Sequence, residues 1–302
     1  MGFFSHLRSL LLAAGILLAS LVLSGCEGIA GQAFGESHDD SLIVRVLSIG
    51  QGDAILLEKG GQFSLIDSGD VEHRPQMAEY LKTYHVKRLS AVIITHPHAD
   101  HLGGMYAVFS AVPVDKVYDN GNPYPTASYR TYMKQINKRG IAYQALKKGD
   151  TIEFFPGVMF HVLGASGMVD EGSRKQRYGG SIVNNQSIVG RLRYDNFSML
   201  FTGDAEREEE DAILSFTKDL QSDVLKVGHH GSKSSSSPRF LLTVKPKDAV
   251  ISCGAGNRFG HPHEVTLKKL ARIGARLWRT DRDGTITIIS DGKSYSVAKE
   301  HG

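Results

Sequence analysis

The sequence has few cysteines, little net charge and no internal repeat, and these shortages narrow the class of protein. Only two of the 302 residues are cysteine, Cys26 and Cys253, so a disulfide framework is not expected. The formal net charge is +3, which argues neither for nor against a nucleic-acid partner. With 41% hydrophobic and 22% charged residues, the composition is that of an ordinary globular protein of one or two domains.

The N-terminal apolar run is too short to span a membrane and is typical of a secretory signal. Arg8 precedes the run Leu10–Leu23, which is shorter than the roughly 20 residues that a spanning helix needs. The run ends in Leu23-Ser24-Gly25-Cys26, which resembles the bacterial lipobox. That resemblance implies a signal peptide over 1–25 and a lipid on Cys26; a plain signal or an anchor helix is the alternative. Residues 26–40 are polar and predict a flexible tether.

Residues 41–302 predict one α/β domain in which strands dominate and helices are interspersed. Helices are predicted over Gln76–Tyr84, Ser128–Arg139, Arg207–Phe216 and Glu264–Ile273. Strands are predicted over Ser41–Ser48, Ala54–Glu58, Phe63–Ile66, Leu89–Thr95, Thr151–Phe155, Val158–Leu163, Ser187–Tyr194, Phe197–Thr202, Val224–Val227, Ala249–Ser252, Arg276–Trp278, Thr285–Ile289 and Ser294–Val297.

Histidine placement is the most informative pattern in the chain. Seven of the 13 histidines fall into three tight groups: His96/His98/His101, His229/His230 and His261/His263. The first group and Asp100 follow the apolar run Leu89–Thr95, so they occupy a loop at the end of a buried strand. Imidazole nitrogens and a carboxylate suit zinc, with manganese or iron as alternatives. A solvated polar loop would explain four such residues in six positions less well.

Other polar residues end predicted strands in the same way. Asp67 follows Phe63–Ile66, Asp204 follows Phe197–Thr202, and the pair His229-His230 follows Val224–Val227. Each aspartate alone could equally be a turn residue beside glycine. Taken with the first histidine group, they predict a metal site assembled at the ends of several strands.

In order and spacing these residues resemble the motifs of the metallo-β-lactamase superfamily, across nearly all of 41–300. The resemblance implies an αββα sandwich with metals at one edge of two facing sheets. Five segments narrow the resemblance to the hydrolase domain of ComEC/Rec2 competence proteins. The resemblance implies that this domain stands alone here and is held at the membrane by lipid. These segments are Ile49–Ala54, Asn184–Ser187, Thr202–Asp204, Lys226–Ser232 and Gly260–His263.

The resemblance implies two Zn²⁺ sites, with Mn²⁺ as an alternative ion. The first would use His96, His98 and Asp204, and the second Asp100, His101, Asp204 and a histidine of the pair. His229 is favoured because it follows the strand-ending Gly228, but spacing does not decide between it and His230. Where many members carry a third-motif histidine, this chain has Asn184 and Asn185, which implies a weaker first site.

The same resemblance implies roles for the remaining polar residues. Asp67 would orient a water or a ligand, and Asp100, His230 and His261 would join it in catalysis. Substrate contacts are expected from Asn184, Asn185, Lys226, Ser232, Asn257 and His263; solvated surface groups are the alternative for Lys226, and a polar loop for Asn257, His261 and His263. A metal-activated water, acidic near neutral pH, would attack the substrate.

Four functions remain open at this point. A phosphodiesterase or nuclease, with DNA as a candidate partner in processing or uptake, is favoured by the ComEC-like motifs. A phosphoester hydrolase acting on a wall polymer or small molecule, similar to phosphorylcholine esterases, is the main alternative. A β-lactamase is disfavoured by the missing third-motif histidine, and a non-catalytic binding module by the near-complete ligand set.

Overall fold

The computed structural model describes residues 40–165 and 181–301. The predicted signal peptide, Cys26 and all of the tether except Asp40 lie outside these residues. Within them, no helix combines the length and apolar character needed to cross a bilayer.

Two sheets form the scaffold. The first has the strand order β15-β14-β1-β2-β3-β4-β5-β6, antiparallel from β15 to β3 and parallel from β3 to β6. Its strands are β1 Leu42–Val46, β2 Ala54–Lys59, β3 Gln62–Ser68, β4 Ala91–Ile93, β5 Lys116–Asp119, β6 Ala142–Ala145, β14 Ile286–Ser290 and β15 Tyr295–Lys299.

The second sheet has the order β13-β12-β11-β10-β9-β8-β7, parallel from β13 to β10 and antiparallel from β10 to β7. Its strands are β7 Thr151–Phe155, β8 Val158–Gly164, β9 Val189–Tyr194, β10 Phe197–Phe201, β11 Val224–Lys226, β12 Asp248–Ile251 and β13 Arg276–Arg279.

Eight helices accompany the sheets in the described ranges. They are α1 Arg74–Thr83, α2 Ala99–Leu102, α3 Met105–Ala111, α4 Ala127–Arg139, α5 Arg207–Phe216, α6 Pro238–Val244, α7 Glu264–Arg272 and α8 Thr280–Asp283. Two short 3-10 turns, Asn184–Gln186 and Gly228–Gly231, lie at the second sheet.

Three apolar clusters show how the layers are held together. The central cluster joins the two sheets and contains Val44 of β1 and Phe160 of β8. A second packs α1, α3 and α4 on the first sheet, and a third packs α5, α6 and α7 on the second. Each fully buried large apolar side chain contributes about 1.5–3 kcal/mol relative to exposure. The layers are therefore helix, sheet, sheet, helix, as the resemblance implied.

Close packing between two neighbouring strands of the second sheet explains one glycine. Gly190 of β9 lies against the ring of Phe160, and a Cβ at that position would collide with the ring. Since Phe160 is among the largest fully buried side chains, its volume can be accommodated only where β9 carries no side chain.

Candidate metal centre

The candidate site lies where strands of both sheets end. Asp67 is the next-to-last residue of β3, His96 follows β4, Asp204 follows β10, and the pair His229-His230 follows β11. β3 and β4 are parallel neighbours, as are β10 and β11, so each pair delivers its carboxyl ends to one edge. The short helix α2 carries Asp100 and His101 to the same place.

Asp204 is at the centre of this group. Its Oδ1 lies 3.2 Å from Nε2 of His101 and 3.5 Å from Nε2 of His230. Its Oδ2 lies 3.8 Å from Nε2 of His96 and 3.8 Å from Nε2 of His229. The two carboxylate oxygens thus face two different sets of imidazoles, as a bridging carboxylate does.

In the part of the chain that the structure describes, three sets of donor atoms converge tightly enough for a cation; one of them, Asp53, Asp67 and His101, lies behind the other two, which share Asp204. Of the two that share Asp204, one is Asp100, His101, Asp204 and His230, and the other is His96, His98 and Asp204. Within the described residues, Nε2 of His101, Nε2 of His230 and Oδ1 of Asp204 are buried without a hydrogen-bond partner. Leaving such atoms unsatisfied costs about 1–3 kcal/mol each, so their convergence fits a bound divalent metal.

Asp67 lies behind this cluster rather than in it. Its Oδ2 accepts a hydrogen bond from Nδ1 of His101 at 2.8 Å and from the Thr95 hydroxyl at 2.7 Å, while Oδ1 accepts from the Thr95 amide. This contact fixes the His101 ring so that Nε2 faces Asp204. Because its side chain is fully buried, Asp67 is a positioning residue and not a group that touches substrate.

The histidines differ in protonation. Burial lowers the pKa of His96 well below its usual value and lowers that of His98, so both rings are neutral and suited to ligation. Burial opposes charge on His101 and His230 as well, but Asp204 and neighbouring carboxylates outweigh it. They raise the pKa of His101 well above its usual value and that of His230 to about 10. A metal binding there must displace these protons.

The structure favours His230 over His229 for the second set. His230 is buried, and its Nε2 lies 3.4 Å from Asp100 Oδ2. His229 is partly exposed, and its Nδ1 pairs with Glu206 at 3.0 Å. Its Nε2 faces Oδ2 of Asp204, the oxygen that also faces His96. Both residues have left-handed backbone, φ 47° and 52°, and this turn decides which ring faces inward.

Three of the expected substrate contacts are contradicted by the structure. Lys226 is fully buried, with Nζ 2.7 Å from Asp53 Oδ2, so it cannot reach a substrate phosphate. Asn185 uses Oδ1 to accept amides at the start of α5, from Glu206 and Glu209. The Asn257 amide is saturated by the backbone of its own loop.

The other expected contacts remain near the site. Asn184 is buried, and its Nδ2 lies 3.4 Å from Nε2 of His229. The Ser232 hydroxyl is buried against that of Ser234 at 2.9 Å. Nδ1 of His263 accepts the Lys233 amide at 3.1 Å. These three side chains occupy the second sheet's side of the site.

His261 stands at the mouth of the site. Its ring centroid is 5.4 Å from that of His229 and 6.2 Å from that of His230. Burial and the charges of those two histidines lower its pKa to about 4. His261 is therefore neutral at pH 7.

Sequence reasoning missed Asp53 and Glu206. Asp53 is buried between Lys226 and His230, with Oδ1 3.4 Å from Nδ1 of His230. Glu206 accepts hydrogen bonds from Asn184 Nδ2 at 3.3 Å and from the Ser234 hydroxyl at 3.0 Å. Asp53 lies in the segment Ile49–Ala54 that carries the family resemblance, but that resemblance does not assign its side chain an ion pair.

The fold and the donor set together define the class of protein. Residues 47–255 match the Metallo-beta-lactamase superfamily, and the chain belongs to it, as a metal-dependent hydrolase with a cluster for a divalent ion. It is similar to ComE operon protein 3 of Bacillus subtilis (strain 168), 30% identical over 80% of this chain and 32% of that protein. It is also similar to Competence protein ComA of Neisseria gonorrhoeae, 27% identical over 89% of this chain and 35% of that protein.

These relatives are much longer than the matched region. Recombination protein 2 of Haemophilus influenzae (strain ATCC 51907 / DSM 11121 / KW20 / Rd) is 29% identical over 81% of this chain and 28% of its own length. The chain thus spans about a third of each of the three. Among solved structures, the metallo-beta-lactamase fold protein YhfI from Bacillus subtilis has a TM-score of 0.57, with 14% identity, covering 83% of this chain and 100% of YhfI. That similarity concerns the fold.

Proposed function

We propose that the protein is a phosphodiesterase acting on nucleic acid outside the cytoplasm, with Zn²⁺ in two sites and Mn²⁺ as an alternative. The position of Asp204 between two sets of imidazoles carries the proposal. Two cations about 3.5–4 Å apart are suited to holding both sides of a phosphoryl group. The similarity to competence proteins supports a nucleic-acid substrate.

The candidate ligands would be shared between two metal ions. His96, His98 and Asp204 would hold one ion, and Asp100, His101, Asp204 and His230 the other. A divalent ion supplies Lewis acidity and a water acidic enough to act as nucleophile near neutral pH.

Access to the reacting atoms would come from the open side of the cluster. His98 is half-buried, and the Asp100 side chain keeps a third of its surface exposed, whereas His96 and His101 are fully buried. A phosphate would therefore approach past His98, Asp100 and His261, with Asp67 keeping His101 in place from behind.

The test is a substrate panel with the purified full-length protein. With Zn²⁺ or Mn²⁺ we expect hydrolysis of single-stranded DNA and of bis(p-nitrophenyl) phosphate. A chelator should abolish both activities. Wall teichoic acid and nitrocefin serve as comparators for the wall-polymer and β-lactamase alternatives. Intact DNA and intact diester after prolonged incubation with either metal would refute the proposal, and faster cleavage of either comparator would reassign the substrate.

We further propose that a lipid on Cys26 holds the protein at the membrane, facing away from the cytoplasm. The apolar run before Leu23-Ser24-Gly25-Cys26 supports this, since burying acyl CH₂ groups contributes about 0.8 kcal/mol each. In bacteria expressing the full-length chain, we expect radiolabelled palmitate to enter the wild type and not Cys26→Ala. Equal labelling of the two, or none in either, would contradict the anchor.

A further inference from the structure

The loop after β12 is held rigidly at the mouth of the site by Asn257. Its Nδ2 donates to the carbonyl oxygens of Gly254 and His261, at 2.9 and 2.5 Å. Its Oδ1 accepts from the amides of Phe259 and His261, at 3.2 and 3.0 Å. Gln51 adds contacts to Gly254 and His261 from the first sheet's side. A loop tied at so many points presents its side chains in fixed positions.

Phe259 is the apolar side chain that this loop presents to solvent. It is 49% exposed, and its ring lies 5.7 Å from that of His261 at an angle of 23°. The His261 ring lies in turn 6.2 Å from that of His230 at 26°. Three rings, with successive tilts of 23° and 26°, therefore lead from the surface to the metal cluster, with Phe259 as the outermost.

Arg258 extends this surface and gives it positive charge. Its guanidinium lies 5.0 Å from the centre of the Phe259 ring and is exposed. Lys233, also exposed, lies beside His263, whose ring is 4.9 Å from that of His261. Within residues 40–165 and 181–301, neither Arg258 nor Lys233 forms an ion pair, so both cations are available to a phosphate backbone.

We propose that Phe259 and Arg258 form a stacking platform for a nucleobase, so that the substrate is a single-stranded nucleic acid. The proposal rests on the phosphodiesterase function above and names its substrate class. Single strands are bound by aromatic faces and guanidinium planes that stack on bases, next to cations that follow the backbone. A base on this platform places its strand beside His261 and the metal cluster.

The position of Phe259, rather than its exposure, distinguishes it from Phe216, the other exposed phenylalanine of the described residues. Phe216, at the end of α5, is 56% exposed and lies ten residues, about 15 Å of helix, from Glu206 at the site. A wall polymer of sugar or polyol phosphates would use the cations but has no planar base to stack. The phenyl ring is thus explained by a base and not by a polymer backbone.

The experiment compares two labelled oligomers with the same sugar-phosphate backbone, oligothymidylate and a fully abasic strand. Affinities are measured by fluorescence anisotropy with the detergent-solubilised full-length protein, in chelator so that nothing is cleaved. We expect the wild type to bind oligothymidylate about tenfold more tightly than the abasic strand. Phe259→Ala should reduce that ratio to near one, Phe259→Trp should retain it, and the matched control Phe216→Ala should leave it unchanged.

Several results would overturn the platform. These are equal affinity of the wild type for both strands, an unchanged ratio in Phe259→Ala, or an equal loss in Phe216→Ala. A Phe259→Ala defect confined to binding of anionic lipid vesicles would assign the ring to a membrane instead.

The ratio of kcat/KM for the two strands, measured with metal, separates the stacking platform from the phosphodiesterase function. Cleavage of both strands without base preference removes only the platform, while base-dependent binding without cleavage removes only the phosphodiesterase.

Discussion

Replacing Asp204 by alanine is expected to lower kcat/KM for the diester at least about a hundredfold, because both donor sets lose their shared carboxylate. Metal content per chain, measured by plasma mass spectrometry, should fall with it. The carboxylate also offsets the charge on His101 and His230, so circular dichroism must accompany the assay. Asp204→Asn keeps the side-chain volume and should show the same loss in a folded protein.

His230→Ala and His229→Ala are the comparators for that result. His230 belongs to the buried second set, whereas His229 pairs with Glu206 at the edge. In chelator competition, His230→Ala should release one metal more readily than His229→Ala does. An Asp204→Ala protein that keeps its metal and its activity would refute the central role of Asp204, and a larger effect of His229→Ala would reverse the order of the two histidines.

Removing Asp53 is expected to destabilise the fold by about 3–5 kcal/mol, because Lys226 would keep a buried ammonium without its carboxylate. Lys226→Met should cost less, since Asp53 retains Nδ1 of His230 at 3.4 Å. The free energy of unfolding of Asp53→Ala and of Lys226→Met is measured by urea titration. The two values are compared with each other provided that the variants share the same m-value.

The double variant tests whether the two residues act as a pair. If they do, Asp53→Ala combined with Lys226→Met should be more stable than Asp53→Ala alone, since no unpaired charge then remains buried. Losses that simply add would show that the two positions are independent. Lys247→Ala, which removes the exposed ammonium next to Asp223, is the surface control and should change stability by less than about 1 kcal/mol.

Most strands could be predicted because apolar runs show them directly. The runs at Val158–Leu163 and Phe197–Thr202 became β8 and β10, and the two-sheet sandwich is confirmed. β5 and β6 were missed. Each has only four residues, and three of the four in β6 are exposed, so neither carries an apolar pattern of its own. β5 exists because β4 offers a parallel edge on which it can pair, and β6 pairs in turn on the edge of β5.

The bounds of the strands also depend on contacts that the local sequence does not show. The run Leu89–Thr95 predicted a strand of seven residues, but β4 covers only Ala91–Ile93. Thr95 instead turns its amide and hydroxyl to Asp67, which lies 28 residues earlier in the chain. A contact between such distant residues leaves no periodic signal in either segment.

By itself, the sequence determined the kind of chemistry: imidazoles and carboxylates grouped at strand ends, a set that can hold a divalent metal. The tertiary structure decided which atoms converge. It turned His230 inward, buried Lys226 against Asp53, and gave Asn257 to its own loop. The sequence shows which residues are close along the chain. Their convergence in space depends on the two sheets packing face to face and on the left-handed turn at His229 and His230.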